Sequence, residues 1–330
     1  VHKAMLTDKA RVDAYYEAVF RCKERIKDKV VMDVGAGTGI LSIFCAKAGA
    51  KKVYAVEASP KLIPILKDVV KDNECEDIVE VIYGEVEAIE VPDSIDILIS
   101  EWMGHYLLHE SMIESLINAR RFLASESLVL PHKATIYVAL CDLPQLTSQW
   151  ANVRNVNMEA VTDSYRKEAT CFPHIEHISY EALMSLPKEF CSFDLKTVSP
   201  EEIENNVLRT VMVTNKTGTV EGICIWWDVE FPSNVVLSTS PFSAETHWKE
   251  TIILFSKPLP VTTGIPIGIE LAISKTNHRV FTLSLTVHDA EEEDHDIPCS
   301  CYMDKCQVAN AYYMETSVRI KEEPPSPSSE

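Results

Sequence analysis

Val30-Val31-Met32-Asp33-Val34 runs directly into Gly35-Ala36-Gly37-Thr38-Gly39 and then Ile40-Leu41-Ser42. A strand with one face in water alternates apolar and polar side chains; this one is almost continuously apolar, so it reads as buried on both faces. The pattern then repeats. A helix over 40–47 closes at Gly49, and a strand over 53–56 ends at Glu57. A helix start follows at Ser59-Pro60, where Pro64 forces a kink or a late beginning, because it removes a backbone donor. Further strands are expected at 79–83 and 95–100. Alternating β and α segments with continuous apolar strands predict a parallel sheet covered by helices on both faces. Residues 1–28 read as an amphipathic helical segment with Leu6, Val12, Tyr16, Val19 and Ile26 as candidate buried positions.

The glycine loop after the first strand lets backbone approach a ligand. Its third glycine comes one residue too early for the dinucleotide fingerprint. Asp33 just upstream suits a cationic or amino ligand better than a pyrophosphate. Glu57, 22 residues after Gly35 at a strand end, is placed to accept both hydroxyls of a ribose. Together these residues imply a nucleoside-containing cofactor and favour S-adenosylmethionine over NAD.

Ser100-Glu-Trp-Met-Gly-His-Tyr-Leu-Leu-His-Glu-Ser-Met112 follows the fourth strand, at the sheet edge where ligands bind in open α/β folds. Glu101 and Glu110 flank it, with a helix expected from about residue 109 or 110. Trp102, Met103, Tyr106, Leu107 and Leu108 make it too apolar for a freely solvated loop. Two acids held in a packed loop repel each other unless a cation lies between them.

After Pro131 the texture changes. Apolar runs at 134–140, 207–214, 222–231, 252–255, 267–273 and 281–287 are separated by turn residues, which predicts an antiparallel sandwich or barrel. The segment 144–187 is too long and too apolar for a loop and reads partly as a projecting helical arm. Residues 291–296 form an acidic tip, and 321–330 have a disordered composition. The formal net charge of -19 argues against general nucleic-acid binding and suits a basic partner or cationic substrate. Ten scattered cysteines without a Cys-x-x-Cys pair point to a reducing compartment rather than a disulfide framework. Cys299, Cys301 and Cys306, with His295 upstream, are not expected to form a metal site. Without a signal peptide or a long apolar run, the expectation is a soluble intracellular chain with no membrane role.

With these residues in view, the chain resembles the protein arginine N-methyltransferases of the kind that make asymmetric dimethylarginine. The resemblance rests on residues 31–42, Tyr54-Ala-Val-Glu57, the two-glutamate loop from Ser100 to Met112, and Ser240-Pro-Phe through Thr246-His-Trp248. These span almost the whole chain. The resemblance implies a Rossmann-like S-adenosylmethionine-binding domain over 29–130, preceded by the helical segment 1–28. A β-barrel substrate domain over 131–318 would follow, with a dimerisation arm near 145–175 and a tail at 319–330. A head-to-tail homodimer is implied. By position, His2, Arg11, Asp33, Gly35, Gly37, Glu57, Glu87 and Met112 would bind the cofactor. Arg11 would pair with the cofactor carboxylate, Glu57 with the ribose and Glu87 with the adenine amine. Glu101 and Glu110 would hold the substrate guanidinium beside His247, itself paired with Asp8. Met103 and Trp248 would bind substrate, and Met5 and Met112 would line the pocket.

Those roles make physical sense. A guanidinium with a pKa of about 13.8 resists deprotonation, and carboxylates match its planar fork. Holding it draws charge toward the bonded nitrogens and leaves one terminal nitrogen more nucleophilic. The implied substrates are basic proteins, histones or Arg/Gly-rich RNA-binding proteins, and the implied locations are nucleus and cytoplasm. Three features depart from the family pattern: no tyrosine-bearing helix precedes residue 1, Lys3 and Ala4 follow His2 where glutamates are usual, and His105 replaces a tyrosine. They keep open a catalytically weak or silent paralogue serving as a binding scaffold. Ile320-Lys321-Glu322-Glu323 has the apolar-Lys-x-Glu form of a SUMO-attachment site, with Ser326-Pro327 at the spacing of its phosphorylation-dependent version.

Overall fold

The computed structural model describes residues 2–147, 149–289 and 306. The acidic tip at 291–296, Cys299, Cys301 and Lys321 lie outside them; Cys306 is buried.

The N-terminal segment is three helices rather than one: α1 (His2–Thr7), α2 (Lys9–Arg21) and α3 (Lys23–Ile26). Asp8 causes the break. It is extended (φ −71°, ψ 97°) and its side chain accepts the Arg11 N–H, capping α2. The break resets the helical phase, so the buried face is Arg11, Ala14, Tyr15, Ala18 and Val19. Val19 and Ile26 are buried as expected, whereas Leu6 and Tyr16 are exposed.

The first half then forms β1 (Val30–Val34), α4 (Ile40–Lys47), β2 (Lys52–Glu57), α5 (Ile63–Asp72), β3 (Val79–Tyr83), β4 (Ile95–Ile99), α6 (Ile113–Ala119) and β5 (Leu123–Leu130). The start of α5 is the late one, with Pro64 in its first turn. The five strands pair in the order β3-β2-β1-β4-β5, all parallel. The chain therefore winds outward from β1 in both directions, and the crevice at the C-terminal ends of β1 and β4 is the switch point where such sheets bind ligands. Sequence periodicity misses β5, whose first half, Leu123-Ala-Ser-Glu-Ser, is polar and partly exposed. The helix expected from residue 109 or 110 starts only at Ile113. Before it, bridges between Gly104 and Leu107 and between His105 and His109 turn the loop into a tight hairpin.

The second half is antiparallel. It contains β6 (Lys133–Cys141), α7 (Pro144–Thr147), β7 (Asn152–Val153), β8 (Val156–Asn157), α8 (Glu159–Ala169), β9 (His174–Glu176), β10 (Lys188–Asp194) and α9 (Pro200–Glu204). These are followed by β11 (Asn205–Val213), β12 (Gly218–Phe231), β13 (Val235–Ser238), β14 (Glu250–Val261), β15 (Pro266–Asn277) and β16 (Val280–Asp289). One sheet runs β10-β6-β12-β14-β9 with β13 added beside β12; the other runs β11-β15-β16. One apolar face of the larger antiparallel sheet shares a core with the β11-β15-β16 sheet and the parallel sheet, while its other face, with Trp226, Ile252 and Leu254, forms a second cluster with Leu143 and Ala169. Tyr15 packs edge-on against Phe231 at 5.0 Å, which ties α2 to β12.

Residues 144–169 carry the two helices and the small hairpin of the expected arm. A buried ion pair anchors α8: Arg166 Nη2 lies 2.6 Å from Glu221 Oε1, and Nη1 donates to the Phe255 carbonyl. Glu221 also accepts from the Thr147 hydroxyl and from the Leu143 N–H. Replacing Arg166 by methionine leaves a buried carboxylate without its cation, a loss of about 3–5 kcal/mol. The exposed Arg209–Glu270 pair contributes under about 1 kcal/mol. Urea unfolding should therefore destabilise R166M well beyond R209M, and equal midpoints for the two variants would contradict the anchoring role.

Candidate active site

The C-terminal ends of β1 and β4 open into a cavity of about 530 Å³, within the roughly 300–1,000 Å³ typical of small-molecule sites. Its floor is the glycine loop. Gly35, Gly37 and Gly39 all have left-handed backbones (φ +73°, +58° and +88°), which L side chains adopt only under strain. A Cβ on Gly35 would lie 2.6 Å from the Met112 terminal methyl, so the glycine lets the methionine close one wall. Glu57, at the end of β2, accepts from the Gly37 N–H (2.8 Å) through one oxygen and from the Ser59 N–H (2.7 Å) through the other. That grip fixes the carboxylate at the cavity wall. Its remaining lone pairs can take ribose hydroxyls.

Asp33 does not line the cavity. It is wholly buried behind the loop, where the Ser42 hydroxyl donates to it at 2.6 Å and its other oxygen has no partner. Burial pushes its pKa up to about 7. Its expected contact with a cationic ligand is thus replaced by a contact with α4.

The face of α2 that carries Asp8, Arg11 and Tyr15 builds the other side. These positions lie one and two turns apart, so they share a face. Arg11 is buried, and its Nε and Nη2 both reach Glu101 Oε2 at 3.1 and 3.0 Å, while Nη1 donates to the Met5 carbonyl. Three of the five guanidinium donors are used, leaving two for an anion in the cavity that Arg11 lines. Glu101 lines the same cavity. Burial raises its pKa, against the opposing pull of Arg11 and His247. Tyr15 donates to the Ser100 carbonyl at 2.9 Å and pins the end of β4.

Asp8 joins the two halves of the chain. Its Oδ2 accepts from the His247 N–H (2.9 Å) and ring Nδ1 (2.7 Å), while Oδ1 accepts from the Arg11 N–H (2.9 Å). A carboxylate only accepts, so Nδ1 carries the proton and Nε2 is the free nitrogen. Burial alone would raise the Asp8 pKa; the hydrogen bonds from His247 and Arg11 outweigh it and hold the group below its ordinary value. The Asp8–His247 pairing implied by resemblance is present.

Glu110 behaves differently from Glu101. It is exposed, has a left-handed backbone (φ +58°), donates its N–H to the Arg279 carbonyl at 2.8 Å and does not line the cavity. Arg11 is the cation beside Glu101 Oε2, and Glu110 is exposed on the return leg of the hairpin. Met103 and Trp248, expected at the substrate, are buried against each other instead. The Trp248 Nε1–H donates to the Met103 carbonyl (3.1 Å), and its ring meets Trp227 edge-on at 4.9 Å. They clamp the acidic loop to the second half. His2, Met5, Gly37, Glu87 and Met112 line the cavity. Tyr15, Ser115 and Arg279 are site residues that sequence reasoning missed; the helical spacing from Asp8 could have pointed to Tyr15, while nothing local marks Arg279. Among the described residues no cluster suited to a metal ion is present.

Residues 132–290 match the family model described as the arginine methyltransferase oligomerization subdomain. Residues 15–134 match the TRM5/TYW2 methyltransferase domain. The chain is 36% identical over 334 residues to the probable protein arginine N-methyltransferase 6 of Arabidopsis thaliana, covering 88% of this chain and 77% of that one. It is 36% identical over 311 residues to protein arginine N-methyltransferase 6 of Danio rerio, covering 89% and 88%. Among solved structures it resembles the Trypanosoma brucei PRMT1 enzyme–prozyme heterotetrameric complex with AdoHcy, with TM-score 0.79, 30% identity and coverage of 91% and 95%. The Arabidopsis thaliana protein arginine methyltransferase 10 structure gives TM-score 0.75, 32% identity and coverage of 89% and 94%.

The buried Asp33 makes a pH prediction. Its folded pKa, about 7, lies above the ordinary value of 3.8. Between those values the folded protein keeps a proton that the unfolded chain has lost, so this group's contribution to stability falls as pH rises across the window. The Asp33→Asn variant has no such proton. Denaturant unfolding from pH 4 to 8 should show D33N gaining on the wild type as pH rises; parallel curves would contradict the burial account.

Proposed function

The chain belongs to the protein arginine N-methyltransferase family and takes its methyl groups from S-adenosylmethionine; we propose that it forms monomethyl- and then asymmetric dimethylarginine in basic proteins, histones or Arg/Gly-rich RNA-binding proteins. The observation that carries this reading is Glu101, a buried carboxylate on the wall of the glycine-loop cavity.

The cavity suits the cofactor chemically: glycines for close approach, Glu57 for ribose hydroxyls, Arg11 with two spare donors for a carboxylate, and Glu87 at the rim for an amine. The bound cofactor supplies an electrophilic methyl on a sulfonium. The chain's own residues do the rest. Glu101 is the inner acid for the substrate guanidinium and Glu110, exposed on the same hairpin, the outer one. At about 4 Å and an effective dielectric near 20, each contact is worth around 4 kcal/mol before desolvation, which selects arginine over neutral side chains. Positioning is then the main rate contribution. His247, with Nδ1 tied to Asp8, offers Nε2 to receive the proton that the methylated nitrogen releases. Met112 packs on Gly35 as a flexible wall, able to yield to a nitrogen that already carries one methyl; this supports the dimethylated product. The net charge of -19 favours encounter with basic substrates.

The homodimer has its own support. Val153, Val156, Val161 and Phe172 are exposed on and beside the arm. An apolar groove of about 510 Å³ between α2, α4 and α5 is lined by Leu6, Tyr16, Phe20, Ile40, Phe44 and Ile65. A second copy's arm fits this groove, in keeping with the oligomerization subdomain matched over the arm. The motif at Lys321 carries the accompanying proposal of SUMO attachment and of a nuclear as well as cytoplasmic location.

Labelled S-adenosylmethionine with a histone or Arg/Gly-rich peptide tests the reading, the product isomer being identified by mass spectrometry. Asymmetric dimethylarginine is expected, with kcat/KM lowered about 10²–10³-fold in E101Q, the range spanned by loss of about 3–4 kcal/mol. Cofactor binding without transfer would instead favour a non-catalytic scaffold.

A further inference from the structure

All but one of the residues lining the cofactor cavity come from the first 115 positions; the exception is Arg279. It sits in the turn between β15 and β16 with a left-handed backbone (φ +56°). Three hydrogen bonds fix this turn against the acidic hairpin. The Arg279 carbonyl accepts the Glu110 N–H at 2.8 Å, the Phe281 carbonyl accepts the Tyr106 hydroxyl at 2.7 Å, and the Phe281 N–H reaches His109 Nδ1 at 3.5 Å. Lys275 adds an ion pair to Glu114 on α6, and the His278 ring lies 3.2 Å from the same carboxylate. The main chain carrying Arg279 is therefore braced from several sides, and its side chain is aimed from a fixed base.

That side chain is incompletely used. One Nη2–H donates to Ser115 Oγ at 3.3 Å, but Nε is buried without a partner. A buried donor without an acceptor is costly, and one that borders a ligand cavity has a ready acceptor in the ligand. A planar guanidinium also stacks on aromatic faces. The cavity it borders is otherwise dominated by acids, Glu57, Glu85, Glu87 and Glu101, with Arg11 the other arginine.

From this geometry we propose that Arg279 is a cofactor-binding residue, giving its free Nε–H and guanidinium plane to the nucleoside of S-adenosylmethionine. Because its carbonyl holds Glu110, the same turn couples cofactor binding to the outer substrate acid. The inference rests on the methyl-donor site described above and extends it to the second half of the chain.

Titration calorimetry with S-adenosylhomocysteine on wild type, R279M and R279K tests the proposal. R279M keeps length but no donor, and its Kd should rise about tenfold or more, the loss expected for a hydrogen bond from a charged group. R279K keeps the charge without the planar fork and should fall between. In the wild type, S-adenosylhomocysteine should tighten binding of an arginine peptide, and that gain should shrink in R279M; a merely structural role would lower the thermal midpoint without altering the gain. Folded R279M, or folded R279K if R279M fails to fold, binding within about twofold of wild type would overturn the proposal. A wild type that does not bind S-adenosylhomocysteine would remove the methyl-donor reading and this inference together, an outcome distinct from loss in the variants alone.

Discussion

The buried contact between Arg11 and Glu101 is what the rest of the site depends on. Neither side chain is more than 6% exposed, so each charge owes its place in the interior to the other. Removing one partner of such a pair leaves an uncompensated charge. The pair also spans a junction: Arg11 is in the first turn of α2, and Glu101 follows β4 beside the switch point of the parallel sheet. A helix outside the sheet is thereby held against the edge where the glycine loop opens. Two guanidinium donors stay free toward the cavity, so one residue can both orient the substrate acid and receive an anion of the cofactor.

Helix α2 turns that contact into a frame. Asp8 caps it, fixes the His247 tautomer and forms the joint to the second half. Tyr15, two turns on, pins the Ser100 carbonyl and packs on Phe231. The two halves meet again where Trp248 donates to Met103, and a third time where the β15–β16 turn holds Glu110. The acidic hairpin is thus gripped from both sides. This explains how a loop with two acids and many apolar residues can be rigid: Trp102, Leu107 and Leu108 are buried among side chains from both halves, while only Glu110 is left to solvent.

Much of this was legible in the sequence, for identifiable reasons. Buried parallel strands have a continuous apolar pattern, so β1, β2 and β4 stand out, and the half-exposed edge strand β3 is marked by its Val-Glu-Val-Ile-Tyr run; left-handed glycines mark themselves by composition. The second half announces its β character through turn residues, though β10, with its mixed Lys-Glu-Phe-Cys-Ser-Phe-Asp run, and β13, only four residues long, do not. β5 was missed because its first half is polar. The helix break at Asp8 was missed because capping and helix interior look alike in a polar segment. Among site residues, Glu101, Arg11, Glu57 and the Asp8–His247 pair came from motif and resemblance. Asp33, Met103 and Trp248, ligand residues by sequence position, are packed away from the cavity, since spacing does not say which face of a strand or loop a side chain takes. Arg279 lies far along the chain from everything it serves, and only the folded contacts reveal it.

A double-mutant cycle across the central ion pair gives the most direct test. S-adenosylhomocysteine affinity would be measured for wild type, R11M, E101Q and the double variant. If the pair organises the cavity as a unit, the double variant should lose little more than the worse single one, a coupling of about 1 kcal/mol or more. Losses that simply add would mean that Arg11 and Glu101 act independently, and that the site does not depend on their contact.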